Sequence, residues 1–251
     1  MNAELKKLLE ENPGIHILPF GKDVADLPAG YKYLVHKREL SPADYYVNDV
    51  DGHDEFFLKK AFIFNLGSDC GVIFKNDAIK GDYLTEDKNV YQANAQVSIL
   101  KPDGEEKTMT YGQTVDVDAE TELYADDLAD RLAEGIVAND KTKKVIAKFK
   151  NGEWRTNGKE KRYFLDNAEM AVFIEREKKK FYLKTKANIS SMAQTKAKMK
   201  AIKEIANISS SYPIELMTQP FVVIRPVKDI KLEAATEEQI EKTQTKVQAM
   251  F

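Results

Sequence analysis

Val90 to Leu100 (VYQANAQVSIL) alternates apolar and polar residues, the two-residue period of a strand with one buried face. Lys101-Pro102-Asp103-Gly104-Glu105 follows, where proline presets φ and glycine takes the position that favours positive φ. Glu106 to Tyr111 then returns as the second strand, with Gly112 as its end. Alternation and turn chemistry agree on an antiparallel hairpin.

The stretch around which the rest of the chain is organised is Phe181 to Val227, which reads as an extended entry, a long lysine-faced helix, a turn and a closing strand. Ile189, Met192, Met199, Ile202, Ile205 and Ala206 recur mostly at three- and four-residue steps and define one buried face. Lys196, Lys200 and Lys203, at i, i+4 and i+7, define another. Ser209 to Pro213 end the helix, and Phe221 to Ile224 form a short apolar strand with Pro226 as its stop. The fold class is therefore α+β, with an antiparallel β-hairpin or small sheet and a long basic helix, which the resemblance drawn below implies are packed against each other.

Elsewhere the signals are local. Ala3 to Glu11 predicts a short amphipathic helix, and Ser41-Pro42-Ala43-Asp44 predicts a helix start. Asp51 to Asp54 predicts a turn, and Glu55 to Leu66 a buried helix whose aromatic content also suits a strand. Asn76 to Asn89 is polar with little to bury. Val115 to Gly135 is an acidic segment ending in a helix with Leu123, Leu128 and Leu132 inward, and Asp166 to Lys180 is a further helix. Asn157-Gly158 is a second turn signal, joining basic extended stretches. The organisation read from these is an N-terminal segment 1–54, an α+β core 55–231 with acidic (115–135) and basic (141–228) parts, and a polar tail 232–251. Met250-Phe251 close that tail as a short docking point.

Charge is what singles out a partner. The net charge of −3 conceals 14 Lys and Arg against 28 Asp and Glu in residues 1–140, then 22 against 9 in residues 141–231. A partner meets the local field rather than the isoelectric point. The later excess, interleaved with aromatic rings, fits a single strand of DNA held by phosphate contacts and base stacking. Lys196, Lys200 and Lys203 are the leading phosphate contacts, reinforced by Lys143, Lys144, Lys148, Arg155, Lys178 and Lys180. Trp154 and Tyr163 are the stacking residues, each as readily explained by core packing.

Other chemistries find little support. No GxxxxGK[ST] or GxGxxG phosphate loop occurs, so nucleotide-driven chemistry has no visible seat. His16, His36 and His53 lack metal-ligand spacing, and Cys70, the single cysteine, reads as a buried packing residue of a reducing, cytoplasmic setting. No apolar run is long enough to span a membrane. Asp116, Asp118 and Glu120 could bind Mg²⁺ in a nuclease, although no cofactor is indicated. The pattern points to a binding protein rather than an enzyme.

The order of Lys59 to Phe62 (KKAF), the YQANAQVSILKPDGE hairpin, an acidic helix, a basic stretch and FYLKTKANISSMAQTKAKMKAIKEIANI leading to PFVVIRPV resembles the single-strand annealing recombinases of phages and archaeal elements. That broad group includes RecT-like and Erf-like proteins. The resemblance covers residues 55–225. It implies a sheet packed on a basic helix, a groove holding one DNA strand with its bases free to pair, homo-oligomeric rings or helices, and no requirement for ATP. Through it, Lys196, Lys200 and Lys203 match the basic helix of that group. The function implied is ATP-independent strand annealing in homologous recombination and DNA repair. A non-enzymatic phage structural or assembly protein is the alternative, with a metal-dependent nuclease behind it.

Overall fold

The computed structural model describes residues 2–21, 26–101, 103–137, 139, 142–157 and 160–228, without the side chains of 76–78, 144 and 157. The expected tail 232–251 lies outside the described residues. The chain divides into two units, each discontinuous in sequence. One comprises Met1–Ile73, Ser98–Thr108 and Ile202–Phe251, the other Phe74–Val97 and Met109–Ala201.

The first unit is built on β12 (Phe221–Lys228), which lies between β1 (Ile15–Ile17), parallel to it, and β2 (Tyr31–Arg38), antiparallel to it. Phe221, Val222, Val223 and Ile224 are all buried, as a strand covered on both faces requires. On one side Val222 and Ile224 join Leu5 of helix α1 (Ala3–Glu11), Leu18 and Tyr33. On the other, the Phe221 ring meets Phe62 and Tyr212 edge-on, each at 5.2 Å between centroids. Strand β12 runs past Pro226 instead of stopping there. Strand β1 pairs only as far as Val223, so the remainder is an edge where a missing N–H is tolerated.

Two sequence expectations in this unit are revised. Ser41 to Asp44 closes as a turn, Asp44 N–H donating to Ser41 O at 2.9 Å, and leads into β3 (Tyr45–Val50) instead of a helix. Glu55 to Leu66 divides into β4 (His53–Leu58) and α2 (Lys60–Asp69). The cause is the two-residue turn before it. Asp51 and Gly52 both have positive φ, 54° and 83°, which pairs Val50 with His53 and draws Phe56 and Leu58 into a sheet.

The hairpin expected at 90–111 is present and belongs to the sheet β5-β6-β7, formed by β5 (Ile73–Tyr83), β6 (Val90–Leu100) and β7 (Glu106–Asp116). Gly104 in its turn has φ 84°, and Lys101 N–H donates to Glu105 O at 2.8 Å. Ala93, Ala95 and Val97 are fully buried, following the predicted alternation. The polar block from Asn76 contributes its first part to an edge strand, β5, that begins at the apolar Ile73, and β7 continues through Gly112 to Asp116. Helix α3 (Val117–Ala133) begins at Asp116, whose carboxylate accepts from Asp118 N–H at 2.9 Å.

Helix α5 (Asn167–Ala206) is continuous over 40 residues, so the extended entry expected at Phe181 is absent. No glycine or proline interrupts this span. Phe181 is held by a parallel stack on Tyr124 of α3, centroids 4.2 Å apart. Of the expected face Ile189, Ile202, Ile205 and Ala206 are buried and Met192 and Met199 only half-buried, and Thr185, Ala193, Ala197 and Ala201 extend it at steps of four. Asn207, with φ 55°, ends the helix, and Ile208 N–H reaches back to Lys203 O at 2.8 Å, closing it before the serines. The protein is thus α+β, with small, largely antiparallel sheets and a long basic helix against a sheet: Lys198 Nζ of α5 lies 6.0 Å from the Phe74 ring of β5.

Candidate nucleic-acid interface

In the second unit, β10 (Glu160–Phe164) lies between β8 (Ile136–Val137) and β9 (Glu153–Asn157), both antiparallel to it. The pairing of Asn157 with Glu160 follows from the Asn157-Gly158 signal; Gly158 and Lys159 lie outside the described residues. Directly paired residues share a face. One face carries Trp154 with Tyr163 and Thr156 with Lys161; the other carries Arg155 with Arg162. Two arginines opposite one another repel, and each is relieved by the glutamate two residues before it. Arg155 Nε donates to Glu153 at 2.6 Å, and Arg162 pairs with Glu160 at 3.0 Å.

The aromatic face is different. Trp154 is 43% exposed, and Lys161 Nζ lies 5.2 Å from its ring centroid. Tyr163 is buried, packs edge-on against Trp154 at 5.1 Å and accepts the Gly152 N–H at 3.1 Å. Of the two stacking residues, Trp154 alone therefore has a half-open ring. Lys161 escaped the sequence reading. Counting back from the Asn-Gly turn places it diagonal to Trp154 on the same face, so the register held the signal.

The lysines chosen on α5 divide by what they touch. Lys178 Nζ pairs with Glu122 at 2.7 Å, and Lys196 pairs with Glu120. Lys180 pairs with Glu177 at 2.7 Å. The bond to Glu122 holds the Lys178 ammonium above its ordinary pKa, and Lys180 and Arg176 hold Glu177 below its own. Lys200 is exposed, with no partner among the described residues. Lys203, in the first unit, is half-buried, and burial lowers its pKa. Helix α4 (Lys143–Ile146) carries Lys143, exposed, and Lys144, whose side chain is not described; Lys148 follows it on the surface.

Glu120 and Glu122 stand two residues apart on α3, yet their partners on α5 are about 27 Å apart along its axis. Helices lying side by side would pair residues of matching separation. Helix α3 therefore crosses α5 and sends one glutamate to each side. The acidic helix thus neutralises two of the lysines read as phosphate contacts.

The acidic triplet that could suit a metal has structural partners. Asp116 caps α3, Asp118 accepts from Asn89 Nδ2 at 3.1 Å, and Glu120 holds Lys196. No group of three or more metal-ligating side chains is gathered among the described residues. Cys70 is fully buried, and burial raises its thiol pKa. No helix among the described residues is long and apolar enough to cross a membrane. No family model matches the chain, and neither a curated protein nor a solved structure shows significant similarity to it.

Proposed function

We propose that the chain binds single-stranded DNA and promotes annealing without ATP, as a cytoplasmic homo-oligomer acting in recombination. The observation that carries this reading is the half-exposed Trp154 ring bordered by Lys161 on a basic hairpin. A base stacks on such a ring whatever its identity, while a neighbouring ammonium meets phosphate. The exposed Lys148 and Lys200 add charge in the same unit. Binding through ring faces and phosphates leaves the pairing edges of the bases outward, which annealing needs.

Trp154 is the single tryptophan of the chain, so its fluorescence reports the site directly. An unpaired oligonucleotide should quench it, with affinity falling log-linearly as salt rises. Trp154→Ala should weaken binding by roughly 5- to 150-fold, the worth of one stacked base. Unchanged fluorescence together with flat anisotropy at low salt removes the reading.

The alternative, a phage structural or assembly protein, draws on the internal matching of Lys178 and Lys196 and on exposed apolar side chains. Val172 and Leu183 of α5 are 72% and 58% exposed, and Leu123 of α3, expected inward, is 68% exposed. Light scattering without DNA separates the two: a large assembly whose mass ignores added oligonucleotide supports the second.

A further inference from the structure

Residues 148–151 lie along the first turns of α5 and enclose with them an open cleft of about 340 Å³. That volume falls at the low end of the roughly 300–1,000 Å³ common to small-molecule sites. Its two acidic residues are committed to the main chain. Glu169 accepts the N–H groups of Lys150 at 2.9 Å and Asn151 at 3.2 Å, which pins the segment to the helix. Asp166 accepts Ala168 N–H at 2.9 Å and caps α5.

The rest of the lining is Asn151, an apolar set and two cations. Phe149 and Phe173 meet edge-on at 5.2 Å, with Val172 open beside them. The Arg176 guanidinium lies 5.0 Å from the Phe173 ring centroid, and its Nε reaches Glu177 at 3.3 Å; its terminal nitrogens meet no carboxylate among the described residues. Lys148 likewise has no partner among them. A hydrocarbon in this cleft would leave Lys148 unmatched and Arg176 with Glu177 alone. A bare inorganic anion would leave the rings and Val172 in water. A planar base joined to a phosphate answers both.

We propose that this cleft is a nucleotide site, with the base over Phe149, Val172 and Phe173 and the phosphate between Lys148 and Arg176. The proposal deepens the DNA reading, on which it rests for the source of its ligand, the 5′-phosphorylated end of a strand. Phosphate between two cations forms charge-assisted hydrogen bonds, the strongest polar contacts such a cleft can offer.

Calorimetry on the whole chain tests it with three probes: dTMP, thymidine and inorganic phosphate. We expect dTMP to bind about tenfold or more tightly than either fragment. Lys148→Met and Arg176→Met, which keep the apolar stems, should each weaken dTMP by about fivefold or more, and Lys6→Met, on the exposed side of α1, should not. A 5′-phosphate should also tighten an oligonucleotide on the wild type but not on the two cleft variants.

If dTMP gives no heat at millimolar concentration, or binds no better than thymidine, the proposal is overturned without any variant. Oligonucleotide binding in the same preparation would then show that the strand reading survives. If dTMP binds as expected while no oligonucleotide does, the cleft serves free nucleotides and the strand reading fails instead.

Discussion

Gly67 lies in α2 with its Cα against the Ile202 side chain, and a Cβ there would approach Ile202 Cγ2 at 2.8 Å. Alanine gains about 1 kcal/mol of helix propensity at such a site, whereas overpacking a core costs about 1–3 kcal/mol. Ile202 is β-branched and 1% exposed, so it has little room to turn aside. The clash should win, and Gly67→Ala should lower the urea midpoint, while adding Ile202→Ala, which removes the clashing side chain, should give a double variant that loses less than the sum of the two single losses. Lys203 poses a different question. Its lowered pKa means that burial penalises the charged form, and the penalty is complete at any pH below the folded-state value. Stability from this group therefore rises as pH climbs through that lowered value toward the unfolded 10.5, and is absent at neutral pH. Lys203→Met should raise the denaturation midpoint at pH 7 and reduce the gain seen between pH 7 and 10. Oligonucleotide affinity should hardly change, unlike the response to Lys200→Met. The sequence placed both lysines on one helical face and was right about the periodicity. It held no information on what else approaches that face at its far end.

At the level of elements, the 90–111 hairpin was legible because its turn and its alternation both act over fewer than a dozen residues. The long helix was legible in its second half, where helix formers dominate, and misread at Phe181. There an aromatic run with strand preference is overridden by the stack on Tyr124, a partner 57 residues earlier in the chain. The acidic helix was recognised as acidic and as a helix, but its partner was not, since charge patterning along one segment does not say which segment will lie across it. That partnership makes a prediction. The side chains of Lys196 and Glu120 are 39% and 30% exposed, so each α3–α5 ion pair is worth about 0.2–1 kcal/mol. Glu120→Gln with Glu122→Gln should cost little stability and release Lys178 and Lys196. On the DNA reading, affinity for an oligonucleotide should then rise several-fold and its dependence on salt should steepen. Equal affinity and an equal slope in wild type and double variant would mean that these lysines never meet phosphate.

Across the whole molecule, the charge asymmetry could be counted from composition, while the pairing of Ile15 with Phe221 had no local trace. Both neighbours of β12 come from the first 38 residues, so the sheet cannot close until nearly the entire described chain has been made. Contacts so distant in sequence pay their loop-closure entropy before any burial rewards it, and folding of this unit should be slow. Phe221, Val222, Val223 and Ile224 are each 0% exposed. At about 1.5–3 kcal/mol per buried apolar side chain, those four contribute as much as the net stability of a typical domain, about 5–15 kcal/mol. A chain ending at Pro220 should consequently leave β1 and β2 without their common neighbour, and Phe62 and Tyr212 without the ring they flank. Trypsin should then cut at Lys32, Lys37 and Arg38 as fast as in urea, whereas the full chain resists. The milder Val223→Asp, which buries one unpaired carboxylate in the same strand, should give the same pattern in part. Protection of Lys32 to Arg38 in the shortened chain would mean that the sheet closes without β12, against its place at the centre of that unit.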